Sequence, residues 1–317
     1  EAAASFWQQV VERWPDDSDA WGELERYFAE DEALELVLPL LEARHEGAEA
    51  WTELVEVLSK KSQVSDDEME RFDNLGRCAE ILAEKLSNPG EAFGFLTHMV
   101  TINPSEPDLL GRLEATGRQG EKLTELLDIY KGLLSIGDSD FTTSEPFDEG
   151  LEMDAALSLA GLARELDDNK IAVDALMRAR THAPSDLAIF QQLEQLLEQQ
   201  ERHEELFELL VEKKDAVWEE DDKKELYVRV ADLLTSKLDR EDESIEWVEL
   251  LQAMDEADLE VAERLENLYL KYERWDDVAS LLRSKLARLD GEDRRAVALQ
   301  LAIVYRDNLS DLESAYE

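Results

Sequence analysis

The chain repeats itself, and that repetition limits the fold more than any other property of its 317 residues. A unit that cannot bury its apolar face alone must lie against its neighbours, so such units fold as a series and not around one closed core. Four segments share one pattern, residues 74–86, 155–166, 226–238 and 297–309. Their closing leucines, Leu86, Leu166, Leu238 and Leu309, lie 80, 72 and 71 residues apart. After a short polar turn each is followed by a second amphipathic stretch, as at 91–102, 170–182 and 243–254. Ala172, Ala175, Leu176 and Ala179 recur at three- and four-residue steps, which places them on one helical face. Pro104 and Pro184 end two of these stretches, because proline cannot continue the helical hydrogen-bond ladder.

A second helical pair is predicted in every unit, with its own signature at 21–28, 111–118, 191–198 and 263–270. Its shared steps are Leu24-Glu25, Leu113-Glu114, Leu193-Glu194 and Leu265-Glu266. The period is therefore a four-helix unit made of two unlike hairpins. Composition agrees: 44% hydrophobic and 35% charged residues with only 13 Gly and 7 Pro suit helices joined by short turns, and strands are poorly served by so much Glu, Leu and Ala. Residues 59–68 and 135–150 lack helical periodicity and carry turn residues, so they are expected to be loops inserted into one continuous array spanning 1–317. The first residue is Glu1 and both ends fall inside the repeat pattern, which is the expectation for a piece of a longer protein.

Half of the unit is close to 34 residues, and here the chain resembles the tetratricopeptide repeat family in a divergent form. The best copy is 155–184, where Ala160, Ala172, Ala179 and Pro184 fall at the motif's small-residue and proline positions. The copies around Ala79, Ala92 and Pro104, around Ala231, and around Leu301, Ala302, Tyr305 and Ala315 fit with one inserted residue in the turn. In the alternate hairpins Glu25, Glu114, Glu194 and Glu266 replace the small residue, which predicts looser or differently angled packing there. The resemblance implies an all-α, right-handed solenoid of stacked antiparallel helical hairpins whose first helices line a concave face. Family members that hold a terminal carboxylate use a clamp of Lys, Asn and Arg; this sequence has the arginines without the Lys and Asn set, which argues against that ligand.

Charge narrows the partners. Against 33 basic residues stand 78 acidic ones, a formal net charge of −45. Such a field repels phosphate backbones and anionic lipid head groups over about 8 Å at physiological salt, and it favours basic proteins. A high-salt interior would select the same acidic surface for solubility with no partner implied. No apolar run approaches the roughly 18 residues that span a bilayer. The lone Cys78 excludes an internal disulfide and sits in a helical apolar pattern, as a core thiol does. A disulfide-free cytoplasmic setting is the default expectation.

Reaction chemistry finds no constellation. His45, His98, His182 and His203 are scattered, no metal-binding His or Cys spacing occurs, and no phosphate loop or nucleophile elbow is present, so neither catalysis nor a cofactor is expected. Asp138, Asp140, Thr142, Ser144 and Glu149 stand at calcium-loop spacings, yet Thr143 replaces the glycine such a loop needs; a solvated acidic loop is the simpler account. Trp7, Trp21, Trp51, Trp218, Trp247 and Trp275 fall mostly at apolar helical positions and are expected in the core, with Trp14 exposed.

One recurring feature points to a surface. Arg77, Arg112, Arg229 and Arg264 stand two residues before the small or Glu position of a first helix, with Gln192 and Gln300 at equivalent places. Either they form a ladder open to a partner, or each relieves repulsion by pairing with neighbours such as Glu80, Glu114, Asp232 or Glu266; the second reading is preferred. The candidate inner row is Asp73, Arg77, Glu80, Arg112, Asp154, Arg164, Gln192, Gln195, Glu225, Arg229, Asp232 and Arg264. The expected role is a scaffold for a basic protein partner. Mimicry of nucleic acid, and regulation or tethering of an enzymatic part outside this sequence, are the alternatives.

Overall fold

The computed structural model describes residues 2–316, and among these it contains helices and no strands. The chain divides into two compact units, Glu1–His182 and Ala183–Glu317. The first holds α1 (Ala2–Arg13), α2 (Ser18–Ala29), α3 (Leu34–Gly47), α4 (Trp51–Val64), α5 (Glu68–Glu80), α6 (Pro89–Ile102), α7 (Leu109–Gln119), α8 (Leu123–Leu134), α9 (Glu152–Glu165) and α10 (Asn169–His182). The second holds α11 (Leu187–Gln199), α12 (His203–Lys213), α13 (Glu220–Ser236), α14 (Glu241–Met254), α15 (Leu259–Lys271), α16 (Trp275–Leu286), α17 (Gly291–Ile303) and α18 (Leu312–Tyr316). Inside each unit every helix packs on the next in sequence, which is the helical-hairpin series that the repeat requires.

Small residues decide where helices meet. Ala79, Ala160 and Ala231 on first helices are buried, as are Ala172, Ala175 and Ala179 on α10, so backbones approach without a side chain between them. Cys78 lies in the same core; its thiol contacts the Val55 carbonyl at 3.6 Å, and burial pushes its pKa up to about 12. That removes it as a nucleophile at neutral pH.

The single inserted residue inferred for three copies has a physical form. At Leu86, Leu238 and Leu309 the backbone N–H donates five residues back, to Ile81 (3.1 Å), Leu233 (3.2 Å) and Val304 (3.1 Å). At Leu166, in the copy without an insertion, it donates four residues back, to Leu162 (3.0 Å). The extra residue is absorbed as a wide π turn, Ile81–Lys85 and Val304–Asn308 being the fullest examples. Each copy then leaves the helix through a left-handed residue, Ser87, Asp167, Asp239 or Ser310.

The alternate hairpins turn through Glu49, Glu121, Glu201 and Glu273, all with φ between 53° and 57°. These lie 72, 80 and 72 residues apart, and the long interval contains the irregular stretch between α8 and α9. That stretch is held down: Ser139 Oγ donates to the Asp128 carbonyl (2.8 Å), Ser144 N–H to the Thr101 carbonyl (2.7 Å), and Asp148 N–H to Ser105 Oγ (2.9 Å). Gly132 lets it pass, since a Cβ there would lie 2.6 Å from the Phe141 carbonyl oxygen. Residues 59–68 differ from expectation. Helix α4 runs on to Val64, and the connection is only Ser65 to Asp67, with Asp67 capping α5 through its bond from Met69 N–H at 3.0 Å. The polar run Ser59-Lys60-Lys61-Ser62 reads as a loop in sequence, but Ser62 is buried with its hydroxyl bonded to the Ser59 carbonyl at 2.7 Å, and both lysines make ion pairs.

Candidate functional site

The arginines of the first helices are paired within the protein and stay partly exposed. Arg112 on α7 reaches Glu80 on α5 at 3.4 Å, and Arg264 on α15 reaches Asp232 on α13 at 2.8 Å. Arg77 on α5 binds Glu42 and, at 3.3 Å, Glu46 of α3. Arg229 on α13 binds Glu194 and, at 2.5 Å, Glu198 of α11. In every case the carboxylate sits on the first helix of the preceding hairpin. All four arginines are paired with carboxylates, two of them with the Glu80 and Asp232 named from the sequence and two with others.

Two of the braces are built alike. Glu42 takes Arg77 and, at 3.2 Å, Lys61; Glu194 takes Arg229 and, at 2.6 Å, Lys213. In both, the lysine is 19 residues and the arginine 35 residues after the glutamate. One carboxylate thereby ties a first helix to its own second helix and to the next first helix. Glu194 is 3% exposed, so it packs tightly where looser packing is predicted from sequence. At Glu42 burial pulls the pKa up, but the bonds from Arg77 and Lys61 outweigh it and hold the group below the ordinary carboxylate value. Glu266 keeps only the lysine arm, Lys285. Glu114 is met by Arg118 at 3.1 Å and by the Tyr130 hydroxyl at 3.4 Å, whose own pKa is raised by burial and then by that carboxylate.

Glu42 is absent from the sequence-derived set, and Glu25 takes its place there in error. Glu25 lies on α2, a second helix, and is an exposed partner of Arg44 at 2.8 Å. The signal was present: the step Leu41-Glu42 precedes Leu113-Glu114 by 72 residues, the period of the array.

The remaining inner-row candidates separate by charge. Asp73 on α5, Asp154 on α9 and Glu225 on α13 are exposed, and among the described residues none of them has an ion-pair partner. Gln195 is exposed and Gln192 half-buried on α11, while Arg164 is exposed on α9. Within the second unit, Glu225 and Arg229 line one cleft of ≈ 370 Å³ with Gln191 and Glu194.

Reactive groups do not converge. Among the described residues no three His, Cys, Asp or Glu side chains are placed to hold a metal ion, so Asp138, Asp140 and Glu149 do not meet. His182 and Arg178 share Glu152, at 3.1 and 2.8 Å. No described helix is long and apolar enough to cross a membrane. Among the tryptophans Trp14 is 55% exposed as expected, but Trp218 is 79% exposed and does not belong to the core. It stands in the connection before α13, outside any helical face, which periodicity alone does not reveal.

The chain matches no family model and none of the curated proteins. Among solved structures it is similar to Naa15/Naa10 bound to HypK-THB, at 16% identity and a TM-score of 0.42 over 88% of this chain, which spans 40% of the length of that one. It is also similar to the TPR domain of P58(IPK), at 13% identity and a TM-score of 0.29, over 98% of this chain and 94% of that one. A third is a tetratricopeptide repeat protein from Parabacteroides merdae, at 15% identity and a TM-score of 0.32, over 77% and 89%. What the chain itself establishes is an all-α series of stacked helical hairpins, of the tetratricopeptide-like kind that its small-residue positions resemble.

Proposed function

We propose that this chain is a non-catalytic scaffold that holds basic segments of a partner protein against the faces that the first helices form within each unit. One observation carries the reading: internal ion pairs occupy Arg77, Arg112, Arg229 and Arg264, and they leave Asp73, Asp154 and Glu225 exposed without a cation. With 33 basic residues against 78 acidic ones, most of the charge that a partner meets here is carboxylate, Arg164 and the Glu80-paired Arg112 being the exposed exceptions in the inner row. Opposite charge steers such a partner in and rejects anionic competitors. The buried thiol of Cys78 and the separated histidines offer no nucleophile or base in support of a reaction.

The test is binding of a short lysine polymer to the whole chain and to the triple variant D73K/D154K/E225K. Affinity is expected to fall at least about tenfold in the variant, and in the wild type with rising salt. Equal affinity of both proteins would remove these faces from the proposal.

A further inference from the structure

The connection between α12 and α13 carries an aromatic side chain that the packing does not use. Ala216 and Val217 are buried, and their backbone N–H groups both donate to the Lys213 carbonyl, at 2.9 and 3.1 Å. On the other side Lys223 N–H donates to the Glu219 carbonyl at 3.0 Å as α13 begins. Trp218 is fixed between these two anchors and is the most exposed large hydrophobic side chain among the described residues. Counted back from the closing leucines, the same position in the other copies is Asp66, Pro146 and Leu289, so the repeat has no architectural need for an indole here.

Four of the other six tryptophans lie under one of the protein's own cations, and the remaining two, Trp7 and Trp275, are at least half-buried. Trp14, Trp21, Trp51 and Trp247 each have an Arg or Lys over the ring, at 5.0, 4.6, 5.6 and 5.5 Å. Among the described residues Trp218 has none. Val217, next to it in the chain, lines the ≈ 370 Å³ cleft that α13 shares with α11 and α12, where Leu187 and Leu226 add apolar wall. Lys213 and Arg229 line this cleft too but are paired with Glu194, whereas Asp222 and Glu225 have no ion-pair partner among the described residues. An uncovered ring thus stands one residue along the chain from a recess that has apolar wall and two carboxylates without ion pairs, on a backbone held by hydrogen bonds on both sides.

We infer that this corner docks an arginine or lysine of an extended basic segment in the partner protein, with the cation over the Trp218 ring and its charge answered by Asp222 and Glu225. The inference rests on the scaffold reading above and gives it an anchor residue. A cation fits where an anion or a purely apolar side chain does not. The ring face is the negative end of the indole quadrupole, and the surrounding carboxylates act in the same sense. The aliphatic stem of either side chain lies along apolar surface while its head stays polar, which suits Leu187 beside Asp222.

The probe is a dye-labelled octapeptide of alternating arginine and alanine, followed by anisotropy against the whole chain. W218A is expected to weaken binding about tenfold and W218F by less, since the smaller ring keeps part of the attraction. D222N/E225Q is expected to weaken it to a similar extent, and W14A to leave it unchanged. Circular dichroism should match the wild type throughout, because these side chains are exposed. If W218A and D222N/E225Q bind as tightly as the wild type while D73K/D154K/E225K does not, this anchor is wrong and the acidic faces stand. If the wild type does not bind the peptide even at low salt, both the anchor and the basic-partner reading are wrong.

Discussion

In the hairpins that begin with α5, α9 and α13, the point where a first helix meets its neighbours is Ala79, Ala160 or Ala231, and all three are buried. In those that begin with α3, α7, α11 and α15 the point is Glu42, Glu114, Glu194 or Glu266. The first kind closes by having nothing in the way. The second kind closes around a carboxylate: Glu42 and Glu194 take cations from the two helices that follow, Glu266 takes one, and Glu114 takes an arginine of its own helix and a tyrosine hydroxyl. A glutamate at a small-residue position is thus not a looser version of the motif; it is a different joint, and its quality depends on how many arms reach it. Two arms meet Glu42 and Glu194, while Glu266 has one.

Exchanging the joints should produce the largest effect. Ala231→Glu places a charge at a fully buried site with no cation arranged for it, and is expected to cost at least about 4 kcal/mol. Urea unfolding followed by circular dichroism would show the second unit unfolding first. Next is the removal of a two-armed joint. Glu194→Ala leaves Lys213 and Arg229 facing each other over a cavity, and about 3 kcal/mol is expected, at the low end for a broken buried pair because both cations keep some access to water. Glu266→Ala, with one arm, should cost about half of that. Equal losses at 194 and 266 would show that the number of arms is irrelevant.

How much of this was legible beforehand follows from what kind of signal each feature leaves. The helices and their order are readable because Leu86, Leu166, Leu238 and Leu309 recur at nearly equal intervals and the alanines keep a helical step. The π turns are half readable: one residue too many can be counted, but its form cannot. The braces are harder, because a glutamate and its partners 19 and 35 residues away form a pattern only after the hairpins are in register. Taking Glu25 for Glu42 put the first copy out of register by 17 residues and hid the repeated spacing. Polar composition misleads at Ser59-Lys60-Lys61-Ser62, where charged side chains lie along a helix and reach carboxylates on its neighbours. Trp218 leaves no periodic trace at all.

Acid separates the joints further. Glu42 has its pKa below the ordinary carboxylate value in the folded chain, so folding favours the ionised form. Its contribution to stability is complete above the unfolded value, near 4.5, and is lost as pH falls through the lower folded value. The stability gap between wild type and Glu42→Gln should therefore be constant at neutral pH and narrow below about pH 4.5. Urea midpoints measured between neutral pH and pH 3 would show it, and a gap that widened toward acid would contradict the brace.

The exposed rungs of the ladder should matter least to stability and most to the sign of binding. Arg112 and Glu80 meet at 3.4 Å with both side chains well exposed, and such pairs contribute between zero and about 1 kcal/mol. Arg112→Ala is therefore expected to change the urea midpoint little. Its effect on a basic peptide has a definite direction, because the change frees Glu80 to meet the peptide's cations. Affinity at low salt should rise, by about twofold, and the gain should vanish as salt screens the face. Had the arginines been the partner's contacts, the same substitution would weaken binding of an acidic peptide and leave a basic one indifferent. Measuring both peptides on one variant distinguishes a ladder that braces the scaffold from a ladder that reads its ligand.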